Sequence, residues 1–146
     1  MYISETQVRV RYAETDQMGY VYYGNYAQYY EVGRVEALRQ LGMSYKAMEE
    51  SGVMLPVHTF SIKYLKPALY DNLLTIITKI KEIPRARITF YYEIYNEQDV
   101  LLNEGETTLV FISMATNKPC AAPDDFVDLD QVSEFKPEVL DGECSA

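Results

Sequence analysis

A single stretch of helical periodicity set among strands constrains the fold of this 146-residue chain more than any other feature. Tyr26, Tyr29, Tyr30, Gly33, Ala37, Leu38 and Leu41 recur at the spacing of one helix face, while Glu31, Arg34, Glu36, Arg39 and Gln40 fall mostly elsewhere on the wheel. Asn25, with Gln28 three residues on, predicts a capping box at the start, and Gly42 predicts a glycine stop. The expected helix is about 17 residues long. Gly33 and Ala37 stand one turn apart on the apolar face, so this helix can lie close against a sheet.

Elsewhere the period is two. Gln7 to Tyr12 alternates, with Val8, Val10 and Tyr12 on one face and Arg9 and Arg11 on the other. Ala13 to Tyr23 breaks the pattern and reads as a loop, and Met43 to Ser51 predicts a short second helix. Further strands are expected over Leu55 to Tyr64, Leu73 to Lys81, Arg87 to Tyr95 and Leu101 to Ser113. The first of these four puts His58, Phe60, Ile62 and Tyr64 on one face, and the third does the same for Ile88, Phe90, Tyr92 and Ile94. Asn96 to Asp99 has the composition of a hairpin turn, and Asn117-Lys118-Pro119 closes the last strand. The order β-α-β-β-β-β with hairpin-length later connections favours an antiparallel sheet. Its economical packing wraps five strands around one long helix, an α+β arrangement. Such a sheet keeps an open edge that invites pairing with a second copy, so the chain is expected to form at least a homodimer.

Composition narrows the partners. The net charge is −9, but the segment from Asp124 onward carries eight acids against Lys136 alone. The domain is therefore expected to span residues 1–123, followed by an acidic tail over 124–146 with at most a short helical turn near Phe126. An acidic chain repels phosphate backbones, which disfavours nucleic acid as a partner. There is no basic, apolar leader at the N-terminus and no apolar run near the roughly 20 residues that cross a bilayer. The two cysteines, Cys120 and Cys144, support neither a disulfide framework nor a zinc site, so a reducing cytoplasm and no metal are expected.

The chemistry concentrates in Tyr12-Ala-Glu-Thr-Asp16-Gln-Met-Gly19-Tyr-Val-Tyr-Tyr23-Gly-Asn25-Tyr26. Thr15-Asp16, Gly19, Val21-Tyr22, Asn25 and Tyr26 match, in order and spacing, a Thr-Asp-x-x-Gly loop followed by Val-Tyr-x-x-x-Tyr entering a helix. This resembles the signature of the 4-hydroxybenzoyl-CoA thioesterase family of hot-dog proteins, particularly its Tol-Pal-associated branch. Tyr64-x-Lys66-Pro67-Ala68, Arg87 and Gly105-Glu106-Thr107 fall where that family has comparable features, so the resemblance covers roughly residues 5 to 123. It implies a hot-dog fold and hydrolysis of acyl-CoA without a cofactor, in a homodimer or homotetramer whose active site lies at a dimer interface. It implies Asp16 as general base or nucleophile and the backbone N–H of Tyr23, at the helix start, as the donor that polarises the thioester carbonyl. Both roles fit the physics: hydrolysis needs an oxygen nucleophile and a fixed donor for the developing oxyanion. Gly19, Val21, Tyr22 and Tyr26 would shape the acyl pocket, and Lys66, Arg85 and Arg87 would meet the phosphates of coenzyme A.

The rival readings are specific. Asp16 in a loop before a helix also suits plain capping of backbone groups. Tyr23 stands where many relatives carry His, so a backbone role survives there and an imidazole role does not. Glu14 is expected to point away from the site, and Glu31 to pair with Arg34 on the helix surface. His58, the only histidine, is expected in the core or an interface, which weighs against a dehydratase built on a catalytic His. Seven of the fourteen tyrosines lie between Tyr12 and Tyr30. They suit an aromatic acyl pocket or core packing, with Tyr26, Tyr29 and Tyr30 assigned to core and Tyr22 and Tyr23 to the pocket. Two alternatives to acyl-CoA hydrolysis remain: a non-catalytic acyl-ligand binding or scaffold protein, and an acyl-carrier-protein thioesterase docking through Lys63, Lys66, Arg85 and Arg87.

Overall fold

In the computed structural model, which describes residues 1–123, the one long helix is α1, Tyr26–Gln40. It is slightly shorter than its periodicity suggests because a 3-10 turn, Tyr23–Asn25, occupies the expected first turn. Gly42 ends it in the left-handed region at φ +82°, with Gly42 N–H donating to the Arg39 carbonyl and Met43 N–H to that of Leu38, a Schellman stop. The expected capping box is absent: the Asn25 side chain makes no cap bond and donates instead to the Glu14 carbonyl at 2.8 Å.

Around the helix wrap β1 (Tyr2–Arg9), β3 (Val57–Tyr64), β4 (Leu73–Ile80), β5 (Arg87–Tyr95) and β6 (Leu101–Val110). α2 (Tyr45–Glu50) follows α1, and a small second sheet joins β2 (Val53–Met54), β7 (Ile112–Ser113) and β8 (Lys118–Pro119). The main sheet is antiparallel in the order β1-β4-β5-β6-β3, the α+β hot-dog arrangement expected. Gly33 explains how closely helix and sheet approach: a Cβ there would lie 2.5 Å from Thr78 Oγ1 and 2.9 Å from Ile76 Cγ2. Tyr30 stacks on Tyr92 with centroids 4.2 Å apart, and Leu38, Ile76, Ile88 and Phe90 complete a fully buried core.

Three expectations change. β1 starts at Tyr2 and stops at Arg9, so Tyr12 is an exposed member of a 3-10 turn rather than an inward strand residue. β3 and β4 are not hairpin neighbours; residues 65–72 carry the chain from the β3 edge to the β1 side of the sheet. His58 is exposed, at a register irregularity on β3, and is not a core residue of this chain. The acidic tail, the turn near Phe126 and Cys144 lie outside the described residues. No helix among the described residues is long and apolar enough to cross a membrane.

Candidate active site

The segment 10–26 is built as two short turns that share Glu14 as a hydrogen-bonding residue and are also linked by an antiparallel bridge between Thr15 and Val21. The turn Tyr12–Glu14 leads to a five-residue loop in which Asp16 N–H donates to the Tyr20 carbonyl at 2.7 Å and Gly19 N–H to that of Asp16 at 3.0 Å. Gly19 sits at φ +77°, a conformation that side chains disfavour, so its contribution is the sharp reversal. Asp16 Oδ1 accepts the N–H groups of Met18 (2.9 Å) and Tyr20 (3.2 Å). The backbone-capping reading of Asp16 is therefore correct for one oxygen. Oδ2 has no partner among the described residues, and the residue is exposed.

The turn Tyr23–Asn25 runs directly into α1. The N–H groups that open a helical turn have no acceptor within it, so those of Tyr23 and Gly24 point outward from the helix start. From β3, the Tyr64 hydroxyl donates to the Tyr23 carbonyl at 3.2 Å and fixes this turn from the sheet side. A cleft of about 520 Å³ opens between the pieces, lined by Asp16, Val21, Tyr22, Tyr23, Tyr26 and Lys66, and by Tyr20, Tyr64, Leu65 and Pro67. Tyr64, Tyr20 and Leu65 were not expected at the site; the Tyr64-x-Lys66-Pro67 pattern was the available signal.

The phenols line the cleft as aromatic walls with polar tips. Burial pushes the Tyr26, Tyr29 and Tyr30 hydroxyls above the ordinary tyrosine value, and the hydrogen bond between Tyr22 and Tyr23 raises Tyr22. Tyr26 bridges core and cleft, as it is buried yet lines the cleft and accepts the Ala68 N–H at 3.1 Å. Among the cleft residues the one carboxylate is Asp16.

The expected phosphate contacts separate. Lys66 stands at the cleft, whereas Arg85 and Arg87 line a groove of about 560 Å³ with Ile83, Pro84 and Tyr91. Asn103 is opposite Tyr64 and Val110 is opposite Arg87, so the two places lie at opposite ends of β6, about 23 Å apart at the rise of a strand. Lys63 faces Glu104 across the strands, so the four cations considered for carrier-protein docking do not form one patch within a chain. Glu31 is exposed and lies 3.7 Å from Arg34, as expected for a surface pair. No cluster of metal-ligating side chains occurs among the described residues.

Glu14 points away from the cleft, as expected, but it is buried. Burial raises its pKa, yet the Arg11 N–H at 2.8 Å, the Tyr29 hydroxyl at 2.9 Å and the Arg11 guanidinium at 3.1 Å together hold it below the ordinary carboxyl value. A depressed folded pKa gives stability that is present above the unfolded value and lost as pH falls through the folded one. Thermal unfolding followed downward from about pH 6 should therefore show a loss beginning below about pH 4.5, and Glu14→Gln should flatten that acid limb.

A family model described as the thioesterase-like superfamily matches residues 10–130. The YneP protein of Bacillus subtilis is 36% identical over 119 residues, covering 82% of this chain and 86% of its own length. The acyl-CoA thioester hydrolase YbgC of Escherichia coli is 35% identical over 129 residues, covering 88% of this chain and 92% of its own length. Among solved structures, a DHNA-CoA thioesterase from Staphylococcus aureus superposes with a TM-score of 0.81 at 36% identity, covering 98% of this chain and 95% of that one.

Proposed function

We propose that this chain, which belongs to the thioesterase-like superfamily, hydrolyses acyl-CoA thioesters to the free acid and coenzyme A. The observation that carries the reading is that the free oxygen of Asp16 and the unfilled N–H end of the Tyr23–Asn25 turn border one aromatic-walled cleft. The thioester carbonyl oxygen accepts the Tyr23 N–H, helped by the positive end of α1. Asp16 either removes a proton from the attacking water, or attacks the carbonyl itself to form a mixed anhydride that water hydrolyses once the thiolate has left, restoring the Asp16 carboxylate. The thiolate of coenzyme A then leaves and is protonated by solvent, a step that needs no strong general acid. Gly19, Val21, Tyr22 and Tyr26 shape the acyl end, and Lys66 meets a phosphate. The motif Thr15-Asp16 to Tyr26 supports the Tol-Pal-associated branch, the charge step at Asp124 supports a hydrolase domain over residues 1–123, and the sparse cysteines support a cytoplasmic setting.

The site is completed by a second copy. β3, one of the two edge strands of the sheet with β1, exposes Val57 (47%), Phe60 (42%) and Tyr64 (47%), too much apolar area for a solvated edge. Two-fold antiparallel pairing of β3 strands brings the Tyr64 end of one chain beside the Val57 end of the other. Val110 N–H donates to the Pro56 carbonyl, so Arg85 and Arg87 lie near that Val57 end. The Asp16 cleft of one chain and the arginines of its partner can then hold a single coenzyme A.

Release of free thiol from a panel of acyl-CoAs tests the activity; thermal stabilisation by acyl-CoA without thiol release would favour the ligand-binding or scaffold reading. A mixture of chains tests the composite site. Asp16→Asn and Arg87→Ala chains, each impaired alone, should regain turnover when refolded together, because one of the two sites in a mixed dimer is intact. Failure to regain activity in a demonstrated mixed dimer would overturn the shared site.

A further inference from the structure

We infer that Glu14 is the positioning residue of the site, fixing where the Asp16 carboxylate stands relative to the N–H donors of the Tyr23–Asn25 turn. The inference rests on the catalytic reading of that cleft. Glu14 works through both of its ends. Its backbone carbonyl accepts the Tyr22 N–H at 2.9 Å and the Asn25 amide at 2.8 Å, bracketing the donor turn on both sides. Its carboxylate accepts the Arg11 N–H at 2.8 Å and the Arg11 guanidinium at 3.1 Å, closing the turn that delivers Asp16 two residues later. The same carboxylate accepts the Tyr29 hydroxyl at 2.9 Å, which ties the assembly to the first turn of α1.

The two functional turns are therefore not joined only by the Asp16–Tyr20 loop and the Thr15–Val21 bridge. They are joined through one buried acid at their common base. Oxyanion stabilisation and base catalysis depend on placements good to a fraction of an ångström, so slackening this joint should cost rate before it costs binding. Glu14 does not itself line the cleft, so its substitution removes no side chain that would touch substrate.

The test compares Glu14→Gln, Tyr29→Phe and Asn25→Ala with the unaltered chain, well below each variant's unfolding temperature. In each, kcat for thiol release should fall, about 30-fold for Glu14→Gln and about fivefold for each of the others, by the effect expected of small misplacements. KM and the affinity for a non-hydrolysable thioether analogue of acyl-CoA should stay within about twofold. Tyr29→Phe removes one hydroxyl and keeps the packing, so it decides the matter if Glu14→Gln does not fold. Turnover equal to the unaltered chain in the folded variants would overturn the inference and leave the catalytic reading standing. Loss of rate in step with loss of analogue affinity or folded fraction would also overturn it. Absence of thiol release by the unaltered chain itself would overturn both.

Discussion

Asp16→Asn is expected to lower kcat for acyl-CoA hydrolysis by at least about 1,000-fold while leaving the fold, the oligomeric state and the unfolding temperature nearly unchanged. The substitution isolates charge from geometry. The amide oxygen of Asn can still accept the Met18 and Tyr20 N–H groups that Asp16 Oδ1 accepts at 2.9 and 3.2 Å, so the turn keeps its shape. What is lost is the free oxygen, which an amide nitrogen replaces. An amide neither takes a proton from water near neutral pH nor attacks a thioester. The cleft holds no other carboxylate to substitute. Thiol release, with unfolding and light scattering as controls, measures the outcome. Undiminished turnover would remove Asp16 from the mechanism and reduce it to the capping residue that its Oδ1 already is.

Much of this could be read from the chain because the signals were local. α1 has a helical period, a small-residue stripe at Gly33 and Ala37 and a glycine stop, all within one segment, and β5 buries Ile88, Phe90, Tyr92 and Ile94 as its alternation demands. The Asn96–Asp99 turn was legible for the same reason: Asn96 Oδ1 accepts the N–H groups of Gln98 and Val100, a bond pattern set by its own sequence. What was not legible depended on partners distant in sequence. The amide of Asn25 had a local use as a cap, but the Glu14 carbonyl eleven residues back competes for it and wins. Alternation in β3 marks a strand, yet nothing in the strand says that it lies at the far edge beside β6, leaving His58 and Phe60 exposed. Lys66 and Arg87 have the same charge and flank neighbouring segments in the motif order, and only the register along β6 shows that they stand at opposite ends of the sheet. That Glu14 points away from the site follows from its place two residues before Asp16, but its burial under Tyr29, fifteen residues on, is a tertiary contact.

Gly105→Ala carries the other large expected effect, and the cause is space. Gly105 lies in the middle of β6, opposite Tyr92 on β5 and Ile62 on β3. A Cβ there would collide with the Ser61 backbone carbonyl and stand 2.8 Å from both Cε2 and the hydroxyl of Tyr30. The carbonyl cannot rotate away, so either β3 lifts from β6 or Tyr30 moves. If Tyr30 moves, it breaks the 2.7 Å bond from its hydroxyl to Asn103 Oδ1 and its stacking on Tyr92, leaving buried polar atoms unpaired. Overpacking of this kind costs about 1–3 kcal/mol, and an orphaned buried hydrogen-bonding group adds about 1–3 kcal/mol. The sum corresponds to a fall in Tm of roughly 6–18 °C for a domain of this size, at about 3 °C per kcal/mol. If β3 lifts instead, the strand that carries Tyr64 to the Tyr23 carbonyl shifts with it, so thiol release should fall even in the folded fraction. Thermal unfolding at fixed protein concentration separates these routes from a neutral outcome. A Tm within a degree or two of the unaltered chain, with full activity, would mean that the tight approach of Tyr30 and β3 at Gly105 is not needed to hold the sheet on its helix.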